Sequence, residues 1–125
     1  MKLTINNKER ELKFNMGFAR RIDEAYTYDL KSEGLSMGMG LEMGYPLLLS
    51  RKLTALTEFC KAAIGGDVTY LQVEKAIDDY AEKHGELETL FEYVIGELGK
   101  SPVTKATVTK LKEETAKVEM KLKAK

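Results

Sequence analysis

The feature that most limits how this chain can fold is a change of hydrophobic period at Gly17. Before it, apolar residues alternate with polar ones: Leu3 and Ile5 against Thr4, then Leu12, Phe14 and Met16 against Lys13 and Asn15. After it, they recur every three or four residues. Alternation is the spacing of a strand with one buried face, and the longer recurrence is that of an amphipathic helix. The first segment is therefore predicted as an antiparallel hairpin turning through Asn6-Asn7-Lys8-Glu9, since asparagine tolerates positive φ. Two strands alone are unstable in water, so the hairpin must lay its apolar face on the helices that follow. The expected fold is mainly α, within the α+β class: an N-terminal β-hairpin on a bundle of about four helices, plus a charged C-terminal helix.

The helices are marked by their stops as much as by their faces. Phe18, Ile22, Ala25, Tyr26 and Leu30 share the face of a first helix, expected to end near Ser32-Glu33-Gly34. A glycine-methionine connector follows, and Pro46 is suited to the first turn of a second helix carrying Leu49, Leu53, Leu56, Cys60 and Ala63 on one stripe. Gly65-Gly66-Asp67 stops it. Thr69 and Gln72 have the spacing of a capping box, which opens a third helix with Val73, Ala76, Ile77 and Tyr80, ending at His84-Gly85. Leu87 to Leu98 form a fourth, ended by Gly99. Ser101-Pro102 then marks a boundary, because a residue before proline is pushed out of the helical region. The chain divides into a helical domain over residues 1–99 and a lysine-rich helical extension over residues 100–125. In the extension Val108, Leu111, Thr115, Val118 and Leu122 make a narrow heptad seam.

With 125 residues, 43% of them apolar, one domain can hide roughly two-thirds of its extended surface. Lysine plus arginine balances aspartate plus glutamate at 20 each, so the mean field does not favour nucleic acid or a membrane surface. From Lys100 onward there are eight lysines against three glutamates, so the rest of the chain is acidic. The alternating polar start is unlike a secretory signal, and no apolar run nears the ~18 residues of a membrane span. A soluble, intracellular protein is expected.

The chemistry open to these residues is narrow. Gly38, Gly40 and Gly44 are one residue too widely spaced for a dinucleotide fingerprint, follow a helical segment instead of a strand, and lack the Lys-Ser/Thr of a P-loop. They read as a hinge. Its methionines, Met37, Met39 and Met43, are suited to filling gaps or to adaptable partner contacts. Cys60, the only cysteine, lies in an apolar run and reads as a buried hydrophobe; His84, the only histidine, reads as a solvent-facing residue at a helix end. Asp78, Asp79, Glu82, Glu86 and Glu88 lack the spacing of a calcium loop and read as a solvated acidic face. No catalytic residue, cofactor site or metal site is expected. The basic tail has no aromatic residue to stack on a base and is interrupted by glutamates, so it reads as a protein-docking helix.

Four patches, taken in order, resemble a known family: LTINNKERELKFNMGFARRIDEAY, the glycine connector followed by PLLL, VTYLQVEKAIDDY, and LFEYVIGELGKSPVTK. Over residues 1–110 they are similar to the tail assembly chaperones of long-tailed phages and prophages of Gram-positive bacteria. The resemblance implies a small helical protein of the host bacterial cytoplasm, absent from the mature virion. It would bind and solubilise the tape-measure protein and help recruit tail-tube subunits, with no catalytic residues. Some members are made in two lengths by a ribosomal frameshift. On this reading the partner-binding candidates are Met37, Met39, Met43, Val108, Leu111, Val118 and Leu122, and the unsatisfied seam implies a homo-oligomer. The alternatives are a tail-completion or head-tail connector subunit and a small nucleic-acid-binding regulator.

Overall fold

The computed structural model describes residues 1–30 and 35–123. Within them the order is β1 (Lys2–Ile5), β2 (Lys8–Glu11), α1 (Met16–Ala25), β3 (Thr27–Leu30), β4 (Leu35–Gly38), α2 (Gly40–Leu49), α3 (Leu53–Ile64), α4 (Tyr70–His84), α5 (Glu88–Lys100) and α6 (Lys105–Lys123). It is the mainly helical architecture expected, with the N-terminal antiparallel hairpin in place.

β1 and β2 pair with Leu3 opposite Arg10 and Ile5 opposite Lys8. Asn6 and Asn7 alone make the turn, with φ of 51° and 65°, the left-handed pair that matches strand twist. Leu3 and Ile5 are buried, and β1 packs along α4. The second strand is shorter than its alternation suggests. Leu12 and Phe14 are buried beyond the ladder, while Met16 is exposed and already opens α1, whose first turn is capped by the Asn15 side chain on the Phe18 N–H at 3.0 Å. The Lys13 N–H donates to the Ala63 carbonyl at 3.0 Å, and Arg21 Nε donates to the Ala62 carbonyl at 2.7 Å. These bonds serve carbonyls at the C-terminus of α3 that the helix itself leaves unpaired.

The middle of the chain departs from expectation. α1 ends at Ala25, and Thr27–Leu30 pairs with Leu35–Gly38 as a second hairpin. Ile22, Tyr26 and Leu30 have helical spacing, but the Tyr26 carbonyl accepts the Met39 N–H at 2.7 Å and the chain goes extended. The expected stop at residues 32–34 lies outside the described residues. α2 begins at Gly40, so Pro46 falls inside it. The single helix expected from Pro46 to Ile64 is two helices, broken at Arg51, whose φ is 59°. Leu49 and Leu53, assigned to a buried stripe, flank that break and are exposed.

From Gly65 onward the punctuation holds. Gly65 and Gly66 have φ of 72° and 68°. Thr69 Oγ1 accepts the Gln72 N–H at 3.2 Å while Gln72 Oε1 accepts the Thr69 N–H at 3.0 Å, closing the capping box of α4. α5 runs one residue past Gly99 and is capped at Ser101.

The core gathers Phe18, Ile22, Leu48, Leu56, Phe59, Val73 and Leu90 from the first five helices. The Phe14 and Phe18 rings meet edge to face with centroids 5.0 Å apart. The start of α6 belongs to this core too: Val108 is 1% exposed, and buried Thr104 donates its hydroxyl to the Leu98 carbonyl at 2.6 Å.

Candidate partner-binding surface

The glycine stretch is a packing device. A Cβ on Gly38 would lie 2.7 Å from Asp23 Cβ, one on Gly40 2.6 Å from Ile22 Cγ2, and one on Gly44 2.5 Å from Phe59 Cε1. Gly40 and Gly44, four residues apart, share a stripe of α2 that lets α1 and α3 approach. The Gly40 N–H donates to Asp23 Oδ1 at 2.7 Å. The N-terminus of α2, where a phosphate would sit in a nucleotide-binding loop, is thus already held by a carboxylate of the chain. Both the hinge reading and a phosphate cradle give way to a fixed, close-packed joint.

The acidic run is divided among separate tasks. Glu86 accepts both the Thr89 N–H at 3.0 Å and the Thr89 hydroxyl at 2.8 Å, which holds its carboxyl below the usual range and tethers the first turn of α5. Glu88 forms a two-pronged pair with Arg51, with Nε–Oε2 at 2.9 Å and Nη2–Oε1 at 2.7 Å. Asp79 lies 3.7 Å from Lys75. No three His, Cys, Asp or Glu side chains converge as a metal site among the described residues. Cys60 is fully buried, which pushes its thiol up to about 12, so it is no nucleophile at neutral pH. His84 is exposed on the last turn of α4, its ring 4.1 Å from that of Tyr80.

Of the seven candidate contact residues, four have described side chains: Met39, Met43, Val108 and Leu111. Met43 is 39% exposed on the outer side of α2, one turn from Leu47 at 37%, and Met39 is half-buried. Val108 is in the core and Leu111 packs against it, so these two fasten α6 to the domain. The side chains of Met37, Val118 and Leu122 lie outside the described residues.

A feature not anticipated from the sequence is a groove of about 370 Å³ between α3 and α4. Leu56 and Ile77 form its floor, and Leu53, 62% exposed, stands at its edge. Tyr70 forms one wall: its hydroxyl donates to Glu58 at 2.5 Å, and Lys61 Nζ stands 4.9 Å from its ring centroid. The bond to Glu58 pushes the Tyr70 phenol up to about 12. Glu58, Glu74 and Asp78 also line the groove, and among the described residues no lysine or arginine does. The signal in the sequence was the polar face of α4, where Glu74 and Asp78 are four residues apart, but only the partner helix turns that face into a rim.

Fold and surface define a small helical domain with an N-terminal hairpin. The chain belongs to the phage tail assembly chaperone protein (TAC) family, whose family model matches residues 2–113. No curated protein and no solved structure matches it. The family is one of chaperones, not of known enzymes, and its partners are phage tail proteins in general. Among the described residues no helix is long and apolar enough to cross a membrane.

Proposed function

We propose that this chain binds the tape-measure protein of its phage, keeps it soluble in the host cytoplasm, helps recruit tail-tube subunits, and is left out of the mature virion. The match to the tail assembly chaperone family over residues 2–113 carries this reading. Exposed, adaptable apolar side chains are what a holder of amphipathic helices needs, and Met43 with Leu47 on α2 offers them. Met37 and Met39, with Val118, Leu122 and the half-buried Leu111 of α6, complete the proposed contacts, and Val108 anchors α6 to the core. Repeated contacts along a long client favour self-association of the chaperone, head to tail.

The test is co-expression with the tape-measure protein from the same phage, followed by affinity purification and mass spectrometry of purified virions. A client made soluble and co-purified, with this chain absent from particles, is the expected result. A client left insoluble and unbound overturns the reading. Finding the chain as a stoichiometric virion component replaces it with the connector alternative.

A further inference from the structure

We propose that the groove between α3 and α4 is a docking site for a basic amphipathic helix. The inference rests on the chaperone reading for its biological client and adds to it the surface and the chemistry of the bound segment.

Three observations converge. The floor is apolar, from Leu56 and Ile77, and the groove's volume of about 370 Å³ suits the aliphatic side chains of about one helical turn. Its charged lining is of one sign: Glu58, Glu74 and Asp78, with no cation lining it among the described residues. Glu58 is engaged by Tyr70, whereas neither Glu74 nor Asp78 has a salt-bridge partner among the described residues. Two like charges one turn apart on α4 repel each other mildly, and a cation laid between them relieves it. The occupant that answers all three is a helix with aliphatic residues at i and i+4 and lysines or arginines on both flanks. The chain's own α6 is a poorer match, because the positions beside its heptad seam alternate Lys112 and Lys121 with Glu114 and Glu119.

Two designed helical peptides with the same leucine stripe, one flanked by lysines and the other by glutamates, test this by fluorescence anisotropy against the full chain. The lysine peptide should bind and weaken as salt rises. In Glu74→Lys with Asp78→Lys its affinity should fall by about tenfold or more, as like charges then face each other, and the glutamate peptide should gain affinity. That exchange of preference is not produced by mere damage to the fold. Both positions are exposed; should the double variant nevertheless melt early, Leu53→Lys places one cation at the groove's edge and should repel the lysine peptide likewise. Equal binding of the lysine peptide to wild type and variants overturns the proposal. Co-expression with the tape-measure protein separates the two readings. If wild type and double variant solubilise the client equally, the groove is not where the client is held and the chaperone function stands. If the peptide preference exchanges but wild type holds no client, the groove stands and the function falls.

Discussion

Gly40 and Gly44 occupy positions where a single methyl group would collide with neighbours that have little room to yield. At Gly40 the obstacle includes the backbone nitrogen of Asp23, 2.8 Å from the added Cβ, and at Gly44 it is the ring of buried Phe59. Gly44→Ala should therefore cost about 1–3 kcal/mol through overpacking. Gly96 has nothing within 4 Å of an added Cβ and lies inside α5. There, alanine should stabilise by about 0.5–1 kcal/mol, because it restricts the unfolded chain and favours the helix. Opposite signs in urea denaturation would confirm that the first glycine is fixed by its neighbours and the second is not; destabilisation by both would refute it. The spacing Gly38, Gly40, Gly44 was plain in the sequence, and the absence of a P-loop lysine ruled out one use of it. Its actual use was not readable, because it depends on what stands opposite: Asp23, Ile22 and Phe59 come from other elements.

Elements were readable where a local hydrogen-bonding device marks their ends. The Asn6-Asn7 turn, the Thr69/Gln72 box and Gly85 at the end of α4 each satisfy backbone groups with neighbours in sequence. The break between α2 and α3 is different. Leu49, Leu53 and Leu56 keep helical spacing across it, while Arg51 takes a left-handed φ and donates from Nη1 to the Leu49 carbonyl at 3.2 Å, its other edge gripping Glu88 at the start of α5. A tertiary ion pair thus holds the break. Glu88's hydrogen bonds with Arg51 keep its carboxyl below the usual range. A depressed folded value means that the pair stabilises above the unfolded pKa, about 4.3, and that this contribution is lost as pH falls through the lower folded value. Arg51→Ala should therefore melt below wild type at pH 7, with the gap narrowing as pH falls below the unfolded value. Arg51→Gly should melt above Arg51→Ala, since glycine accepts the left-handed backbone. A gap independent of pH would mean that the break is held by the backbone alone. The second hairpin was missed for a related reason: Ile22, Tyr26 and Leu30 imitate a helix, and β3 is set by its pairing with β4.

At the scale of the whole molecule, the hydrophobic pattern was enough to define a hairpin laid on helices, because β1 and the helices α1 to α5 each had one face to bury. The partner surface was less readable, since exposure depends on which faces remain uncovered after packing. α6 illustrates both. Its seam looked like one continuous surface, yet Val108 is buried in the core, and Thr104 and Ser101 tie its start to the Leu98 and Phe14 carbonyls at 2.6 Å each. A chain ending at Gly99 would therefore lose more than an extension. Removing Val108 alone forfeits about 1.5–3 kcal/mol of burial, and the Leu98 carbonyl would lose the Thr104 hydroxyl, a large share of the ~5–15 kcal/mol that holds a domain. A chain ending at Thr115 keeps Thr104, Val108 and Leu111, together with the Thr115 hydroxyl's bond to the Leu111 carbonyl at 2.9 Å. The expected order in thermal denaturation is full chain and 1–115 close together, with 1–99 well below both. Only 1–115 can then report whether the distal part of α6 contributes to client binding: loss of the tape-measure protein by 1–115, at unchanged melting temperature, assigns part of the grip to residues 116–125, whereas retained binding moves it to the domain surface. Equal stability of 1–99 and the full chain would instead mean that α6 only lies on the domain and that its buried contacts contribute nothing to folding.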